Sequence, residues 1–396
     1  MTPHSPFPIF LLEGTPYECG VEHGLQARSI IEDSVRNYQQ AFEQNLNFKW
    51  DYILKLAKKF LPAIEAYDPD VIQEMKGIAE GSKQSFEDIL VLNVRSELIF
   101  MTRAGKKTEL EEAPEGCTVM AATPEVTASG HMIVGHNVDW LKATQKAYVI
   151  LKKKRKNALN CVTFLEAGIV GKTGFNAARI VSFGNGMVTD KMRPGVPSQI
   201  ILNKVLNAHT VAEAIQLFLP PNRAASVNRV IASAEGLCMN IEAAPDEFNY
   251  LYPEDGIIVH TNHFLGNNPN IRDMNPQAFP NTLTRRYQAF KLLSAERGRI
   301  TKDTFKKIFR DHLDKPNSIC MHEDSYRYKG RESVKTVVSL ILDVNELTLD
   351  IAEGPPCEHE YVTLDFSDIR DGDIAKPKGI QQPAKKTRPV RRRVKK

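Results

Sequence analysis

After a strand-like opening at Ile9–Leu12, apolar residues recur at helical spacing through most of the first hundred positions. Val21, Leu25, Ile30, Ile31 and Val35 form one stripe within 16–43, and Ile53, Leu54, Leu56, Ala57 and Phe60 form another within 50–64. Both patterns predict amphipathic helices. Asp68-Pro69 reads as the N-cap and first-turn proline of a third helix carrying Val71, Ile72, Met75 and Ile78, since proline loses nothing where the N–H has no helical partner. Ser85-x-x-Asp88 opens a fourth that runs toward Phe100. Residues 103–116 (RAGKKTELEEAPEG) then bring charge, Gly and Pro together and predict an exposed loop. Beyond the loop the texture changes to short strand-like runs bounded by turn residues, at 117–122, 131–137, 147–152, 161–165, 179–182 and 230–234. Helical spacing returns at 199–207, 211–218, 282–294 and 302–312, and strands at 335–343, 347–352 and 361–366 follow. Strands gathered in the middle, with helices before and between them, predict an α+β layered domain.

Composition alters this picture little. Of the 396 residues, 42% are hydrophobic and 25% charged, which is ordinary for a globular chain. No apolar run is long enough to span a bilayer, and Pro3, Pro6 and Pro8 interrupt an N-terminus that lacks the basic start of a signal peptide. Charge is more informative. The net +4 hides a tail, Lys376–Lys396, with ten Lys/Arg and no acid, so the rest holds 42 bases against 48 acids, or −6. With three prolines and no apolar period, residues 371–396 read as a disordered basic extension, either merely solvated or a nuclear address and polyanion handle. An acidic body without a known nucleic-acid motif argues against a nucleic-acid partner. Six cysteines (19, 117, 161, 238, 320, 357) stand singly with no CxxC pair. That spacing predicts neither a disulfide framework nor a structural zinc site, and favours a reducing, cytoplasmic setting.

The candidate chemistry gathers at the seam between loop and strands. Cys117 follows Gly116 at the first strand, and the segment GHNVDW (135–140) returns polar groups toward it after a hairpin-like turn at 128–130. A cysteine at a strand start is more often an inert small hydrophobe, so the weight rests on the company it keeps. Gly116-Cys117-Thr118, GHNVDW, the run from Glu166 to Asn176 (EAGIVGKTGFN) and His260-Thr-Asn-His263 occur in that order, after Tyr17-x-x-Gly20-x-x-His23-Gly24. In these motifs the chain resembles the peptidase C45 family, which includes isopenicillin N acyltransferases and β-alanyl-dopamine hydrolases, over about residues 10–366.

That resemblance implies an N-terminal-nucleophile hydrolase with a four-layer αββα sandwich. It implies self-cleavage between Gly116 and Cys117, giving an α chain (1–116, helical) and an associated β chain (117–370, β-rich, plus the tail). Glycine before the bond accepts strained backbone and leaves its carbonyl open. The freed α-amine, with a pKa of about 7.7–8.0, would deprotonate the Cys117 thiol, so one residue supplies base and nucleophile. By resemblance Asn262 donates its amide N–H to the oxyanion, a contact worth roughly 3–4 kcal/mol, and Asp139 orients the amine; the alternatives are a turn residue and a turn-capping Asp. Thr118, Asn137 and Glu166 stand as substrate-binding or supporting residues. His260 and His263 lack a third ligand and read as packing rather than metal ligands. Arg285 matches a family position and is expected to be a structural ion-pair partner. The family's acyltransferase carries an arginine just ahead of the strand at 335–339; here that register falls on Ser333, with Arg331 two residues away. The implied activity is cleavage or transfer of the acyl group of a small N-acyl amine through an acyl-Cys117 thioester, without a cofactor. The alternatives are an acyl-CoA-dependent acyltransferase of the isopenicillin N type, with acyl-CoA as a substrate, and a non-catalytic binding protein on the same fold.

Overall fold

At the first helix the Thr15 hydroxyl accepts from the Glu18 N–H while the Glu18 carboxylate accepts the Thr15 N–H at 2.8 Å, so α1 (Pro16–Gln26) starts with its exposed donors satisfied. The computed structural model describes residues 5–104, 116–219, 222–324 and 333–371; the basic tail from 372 and most of the charged loop (105–115) lie outside them. The single helix expected over 16–43 is divided, because Ala27 leaves helical geometry (φ −105°, ψ 16°) between α1 and α2 (Arg28–Gln40), and Ala41–Asn45 forms a π turn. The helix expected over 50–64 likewise divides into α3 (Trp50–Ala57) and α4 (Leu61–Tyr67). Pro62 has no N–H to extend the ladder and sits in the first turn of the new helix. α5 (Pro69–Ser82) begins as expected, although the Asp68 side chain caps no N–H, and α6 (Phe86–Ala104) continues a turn past Phe100.

α1 crosses α5 at glycine contacts. A Cβ on Gly20 would come within 2.1 Å of the Glu74 carbonyl oxygen, and one on Gly77 within 2.2 Å of that of Tyr17. The crossing thereby seats His23, wholly buried, where its Nε2 accepts the Gly168 N–H at 3.1 Å. Burial pushes its pKa down to about 3, so the ring stays neutral and remains an acceptor. This links the Tyr17–Gly24 motif to the turn that follows Glu166.

The strands form two sheets. One has the order β1-β4-β5-β6-β7-β8-β9-β10, built from β1 (Ile9–Gly14), β4 (Tyr148–Arg155), β5 (Cys161–Glu166), β6 (Thr173–Asn176), β7 (Ile180–Gly186), β8 (Val227–Ser233), β9 (Cys238–Ala243) and β10 (Phe248–Leu251). The other has the order β11-β2-β3-β12-β13-β14, from β2 (Gly116–Ala122), β3 (Ile133–Leu141), β11 (Ile257–His260), β12 (Val334–Asp343), β13 (Thr348–Glu353) and β14 (Val362–Asp365). β1 runs parallel to β4; the remaining pairings are antiparallel. β2 and β3 pack on β7 across the sheet interface. α7 (Ser198–Val205), α8 (Val211–Phe218) and the N-terminal helices cover the eight-stranded sheet. Beyond the short α9 (Asn275–Ala278), α10 (Asn281–Ser294) and α11 (Lys302–Phe309) cover the six-stranded one. A separate outer core of Met120, Ile133, Leu293, Phe305 and Phe309 seals that last layer. The layers are those of an αββα sandwich, as expected. Residues 5–104 are part of it, since β1 is an edge strand of the first sheet. Among the described residues no helix is long and apolar enough to cross a membrane.

Candidate active site

Antiparallel pairing of β2 with β3 sets Gly116 opposite Asp139, Cys117 opposite Val138 and Thr118 opposite Asn137. β3 runs on to Leu141, past the Asn137 end expected from the pattern, so Asp139 is a buried strand residue and not a turn cap. Gly116 is likewise paired and buried. It is extended, so backbone freedom is not what requires glycine there. Room is: a Cβ would lie 2.9 Å from Asp139 Oδ2 and 2.7 Å from the Met321 methyl. Strand alternation then turns Cys117, Val138 and Trp140 toward one recess between the sheets, with an empty volume of about 610 Å³, open solvent included.

Two elements converge on Cys117. The loop after β11 delivers Asn262, whose Oδ1 accepts the Cys117 backbone N–H at 2.9 Å. α10 delivers Arg285, buried, which donates from Nη1 to the Cys117 carbonyl oxygen (2.6 Å) and to Thr118 Oγ1 (3.1 Å), and from Nη2 to Asn262 Oδ1 (3.0 Å). Asn262 is fixed on every side. Its backbone N–H donates to Thr282 Oγ1 at 2.8 Å, Asn275 donates to its carbonyl, and its Nδ2 donates to the Gly186 carbonyl at 3.0 Å. Two donors on Oδ1 and a carbonyl on Nδ2 define the orientation of the amide. One Nδ2 proton is left for an oxyanion, while the carbonyl side holds the nitrogen of Cys117. Arg285, expected as a structural ion-pair partner, does stand 3.9 Å from Asp139 Oδ2, and in addition grips the backbone of the candidate nucleophile itself.

Asp139 Oδ1 accepts the Thr336 hydroxyl at 2.6 Å. Among the described residues its Oδ2 accepts no hydrogen bond; Arg285 Nη1 stands 3.9 Å from it. Burial raises the Asp139 pKa to about 6, and the Arg285 charge and the Thr336 bond pull the other way. The carboxylate is therefore poised near neutrality beside the Gly116–Cys117 junction.

Glu166 lies behind the recess, in a buried polar network with Arg95 and Lys172, which line it. Arg95 Nη2 donates to its Oε1 at 2.5 Å, the Tyr38 hydroxyl to its Oε2 at 2.6 Å, and Lys172 Nζ stands 3.3 Å from Oε1. Burial opposes its charge, but Arg95 and Lys172 outweigh that and hold it ionised. Lys172 lines the same recess as Cys117, donates to the Tyr148 hydroxyl at 2.7 Å and has its pKa lowered by burial. Removing Glu166 would leave the buried Arg95 and the partly buried Lys172 without their shared counter-charge. Glu166→Ala is expected to lower stability by about 3–5 kcal/mol, and Glu166→Gln by less; chemical denaturation of the three proteins measures it.

The structure gathers Cys117, Thr118, Asp139 and Asn262, and places Glu166 behind the recess, where it bonds to the lining residues Arg95 and Lys172. It turns Asn137 away: its Nδ2 donates to the Phe309 and Ile319 carbonyls at 3.0 and 2.9 Å, which ties β3 to the outer helix layer. Arg331 lies outside the described residues. His260 pairs through Nε2 with Glu242 at 2.8 Å, and Glu242 also accepts the Leu265 and Gly266 N–H groups, so this pair shapes the loop that carries Asn262. Sequence reasoning assigned no role to Arg95, Tyr38 or Lys172. The one local signal was an arginine set in the apolar run LVLNVRSELIF of α6.

A model of the family described as acyl-coenzyme A:6-aminopenicillanic acid acyl-transferase matches residues 126–358, a stretch that holds Asp139, Glu166 and Asn262. The acyl-coenzyme A:6-aminopenicillanic-acid-acyltransferase 40 kDa form of Emericella nidulans is 27% identical over 335 residues, 84% of this chain and 88% of the relative. Among solved structures, a conjugated bile acid hydrolase from Clostridium perfringens aligns at a TM-score of 0.46 and 12% identity, covering 64% of this chain and 94% of its own. Penicillin V acylase from Agrobacterium tumefaciens aligns at a TM-score of 0.41 and 12% identity, covering 65% and 88%.

Proposed function

Because the chain belongs to the acyl-coenzyme A:6-aminopenicillanic acid acyl-transferase family, and is thus an enzyme of acyl transfer or amide hydrolysis, we propose that Cys117 is its nucleophile and is unmasked by cleavage of the chain at Gly116. The observation that carries this reading is the position of the Cys117 nitrogen. It sits on Asn262 Oδ1 at 2.9 Å, in a recess that also receives Asp139 and Lys172. A buried bond in a paired strand is poorly placed for an outside protease, which favours a cut from within.

In the uncut chain Asp139, on the Gly116 side of the strand pair, takes the thiol proton through an intervening water, and Cys117 Sγ attacks the Gly116 carbonyl. The C–N bond breaks, the departing nitrogen gains the proton, and the peptide becomes a thioester. Water then releases the Gly116 carboxylate and restores the thiol. The new α-amine stays between Asn262 Oδ1 and Asp139, where it serves as the base for its own sulfur. A substrate amide is attacked in the same way: the amine leaves with the proton, and acyl-Cys117 passes its acyl group to water or to an amine. Held by Arg285, the Cys117 carbonyl cannot swing, so the sulfur keeps its approach.

The substrate class is a small N-acyl amine or dipeptide-like amide. Transfer from acyl-CoA is the second reading, favoured by the acyltransferase of Emericella nidulans and by a recess lined by both Arg95 and Lys172, two cations that share the one carboxylate of Glu166. Incubation of the processed enzyme with a panel of N-acyl amines and acyl-CoA thioesters tests both. Intact mass should record one acyl group on the 117–396 fragment, released by water alone in the first case and faster with an added amine in the second. Turnover with an unmodified Cys117 would contradict both.

A further inference from the structure

Away from the recess, on the outer side of the six-stranded sheet, the loop after α11 meets the turn between β13 and β14. His312, Cys320 and His322 come from the loop and Cys357 from the turn, and their ligand atoms all lie within 4.8 Å of one another. We propose that these four side chains form a tetrahedral site for a zinc-class ion.

The case rests on what converges on one atom. His312 Nε2 lies 3.1 Å from His322 Nε2, Cys320 Sγ lies 3.8 Å from it, and Cys357 Sγ lies 3.3 Å from it. An imidazole nitrogen has one lone pair or one proton, so it can satisfy one of these three groups and must crowd the other two. A cation at their centre satisfies all four at once. With Zn–N near 2.0–2.1 Å and Zn–S near 2.3 Å, the edges of such a tetrahedron span about 3.3–3.8 Å; the two sulfur–nitrogen separations, 3.3 and 3.8 Å, match this, and the nitrogen–nitrogen separation of 3.1 Å needs only a small outward shift of one ring. On the far side of the ring, His322 Nδ1 lies 3.4 Å from Glu358 Oε1. This is the carboxylate–imidazole pairing that fixes the tautomer of a metal-binding histidine and leaves Nε2 for the metal.

The backbone holds the ligands ready. The Cys320 N–H donates to the Asp311 carbonyl at 3.0 Å, the His322 N–H to the Pro316 carbonyl at 2.9 Å, and Arg310 Nε to the Pro356 carbonyl at 2.8 Å. His312 and Cys357 are exposed while Cys320 is buried, so an ion enters from solvent and closes on an anchored thiol. Binding releases the two thiol protons, and two thiolates neutralise the dication. Four protein ligands leave no open position, so the ion is structural and takes no part in acyl chemistry. It would clamp the 312–322 loop to the sheet. That loop includes Met321, whose methyl closes against Gly116 and whose N–H donates to Thr336 Oγ1 at 2.9 Å, the hydroxyl that also serves Asp139.

The spacing His312-x7-Cys320-x-His322-x34-Cys357 contains no paired cysteines, so the expectation of no structural zinc site was drawn from a pattern this cluster does not follow. The test is metal content of the full-length protein. After incubation with Zn²⁺ and desalting, elemental analysis should find about one zinc per chain in the wild type, and at least fivefold less in Cys357→Ser and in His312→Gln, both changes at exposed positions that leave the core intact. Co²⁺ loading should give thiolate-to-metal charge-transfer absorption that Cys357→Ser weakens and Cys19→Ser does not. Background zinc in the wild type, equal retention by the variants, or a Cys320–Cys357 disulfide in freshly purified protein would each overturn the proposal.

Discussion

Alanine at position 117 is expected to give a 396-residue chain that stays in one piece and has no turnover. The same sulfur is assigned to cutting the Gly116–Cys117 bond and to accepting the substrate acyl group, so one substitution removes both steps. The scale is on the order of 10⁴-fold or more, as when the nucleophile of an interdependent catalytic unit is deleted. Loss of fold would not explain such a result. Cys117 is a small residue in a paired strand, and its backbone contacts to Asn262 and Arg285 do not involve the sulfur. Replacing it with alanine should change stability by roughly 1 kcal/mol or less. A denaturing gel beside an activity assay checks both halves.

Asp139→Asn is expected to slow self-cleavage by roughly 10²–10⁴-fold, the usual contribution of a positioned proton acceptor. It should also change the shape of the pH profile. The folded-state pKa of Asp139 is raised to about 6, so in the wild type the carboxylate form accumulates as pH rises through that value. Self-cleavage should climb to a half-maximum near pH 6 and level off above it. An uncut chain has no free amine at position 117, so this acid limb belongs to Asp139 and should vanish in the asparagine variant. For stability the sign is opposite. A raised carboxyl pKa means that the fold favours the protonated form, a contribution present at low pH and lost as pH rises from the ordinary carboxyl range through about 6. Asp139→Asn should therefore be relatively more stable than the wild type at pH 8 than at pH 4. Time courses on freshly denatured and refolded chain, with denaturation at the two pH values, measure both effects.

The residues legible in the sequence are those whose neighbours along the chain also carry the signal. Gly116-Cys117-Thr118 lies at a seam between charged loop and strand, and Asn262 lies in a polar motif that ends a strand. The polar network behind them was legible only in part, for a physical reason. Trp140, Glu166 and Lys172 fall within the motifs at 135–140 and 166–176, but their partners Tyr38 and Arg95 are single positions in α2 and α6, and only tertiary packing joins them. Arg285 was visible as a residue but not as a partner of the Cys117 carbonyl, since that contact depends on how α10 lies over β2. β6, β9 and β10 escaped detection because β6 and β10 are four residues each, too short for an alternation to show, and Asn240 and Glu242 interrupt the apolar run of β9. The break at Ala27 has no glycine or proline to announce it.

The central claim is that Cys117 becomes a chain terminus before it becomes a nucleophile. Intact mass of purified, active wild-type protein under denaturing conditions tests it most directly. The account predicts two polypeptides, ending at Gly116 and beginning at Cys117, whose masses sum to that of the full chain plus one water. A single unbroken polypeptide with full activity would contradict it.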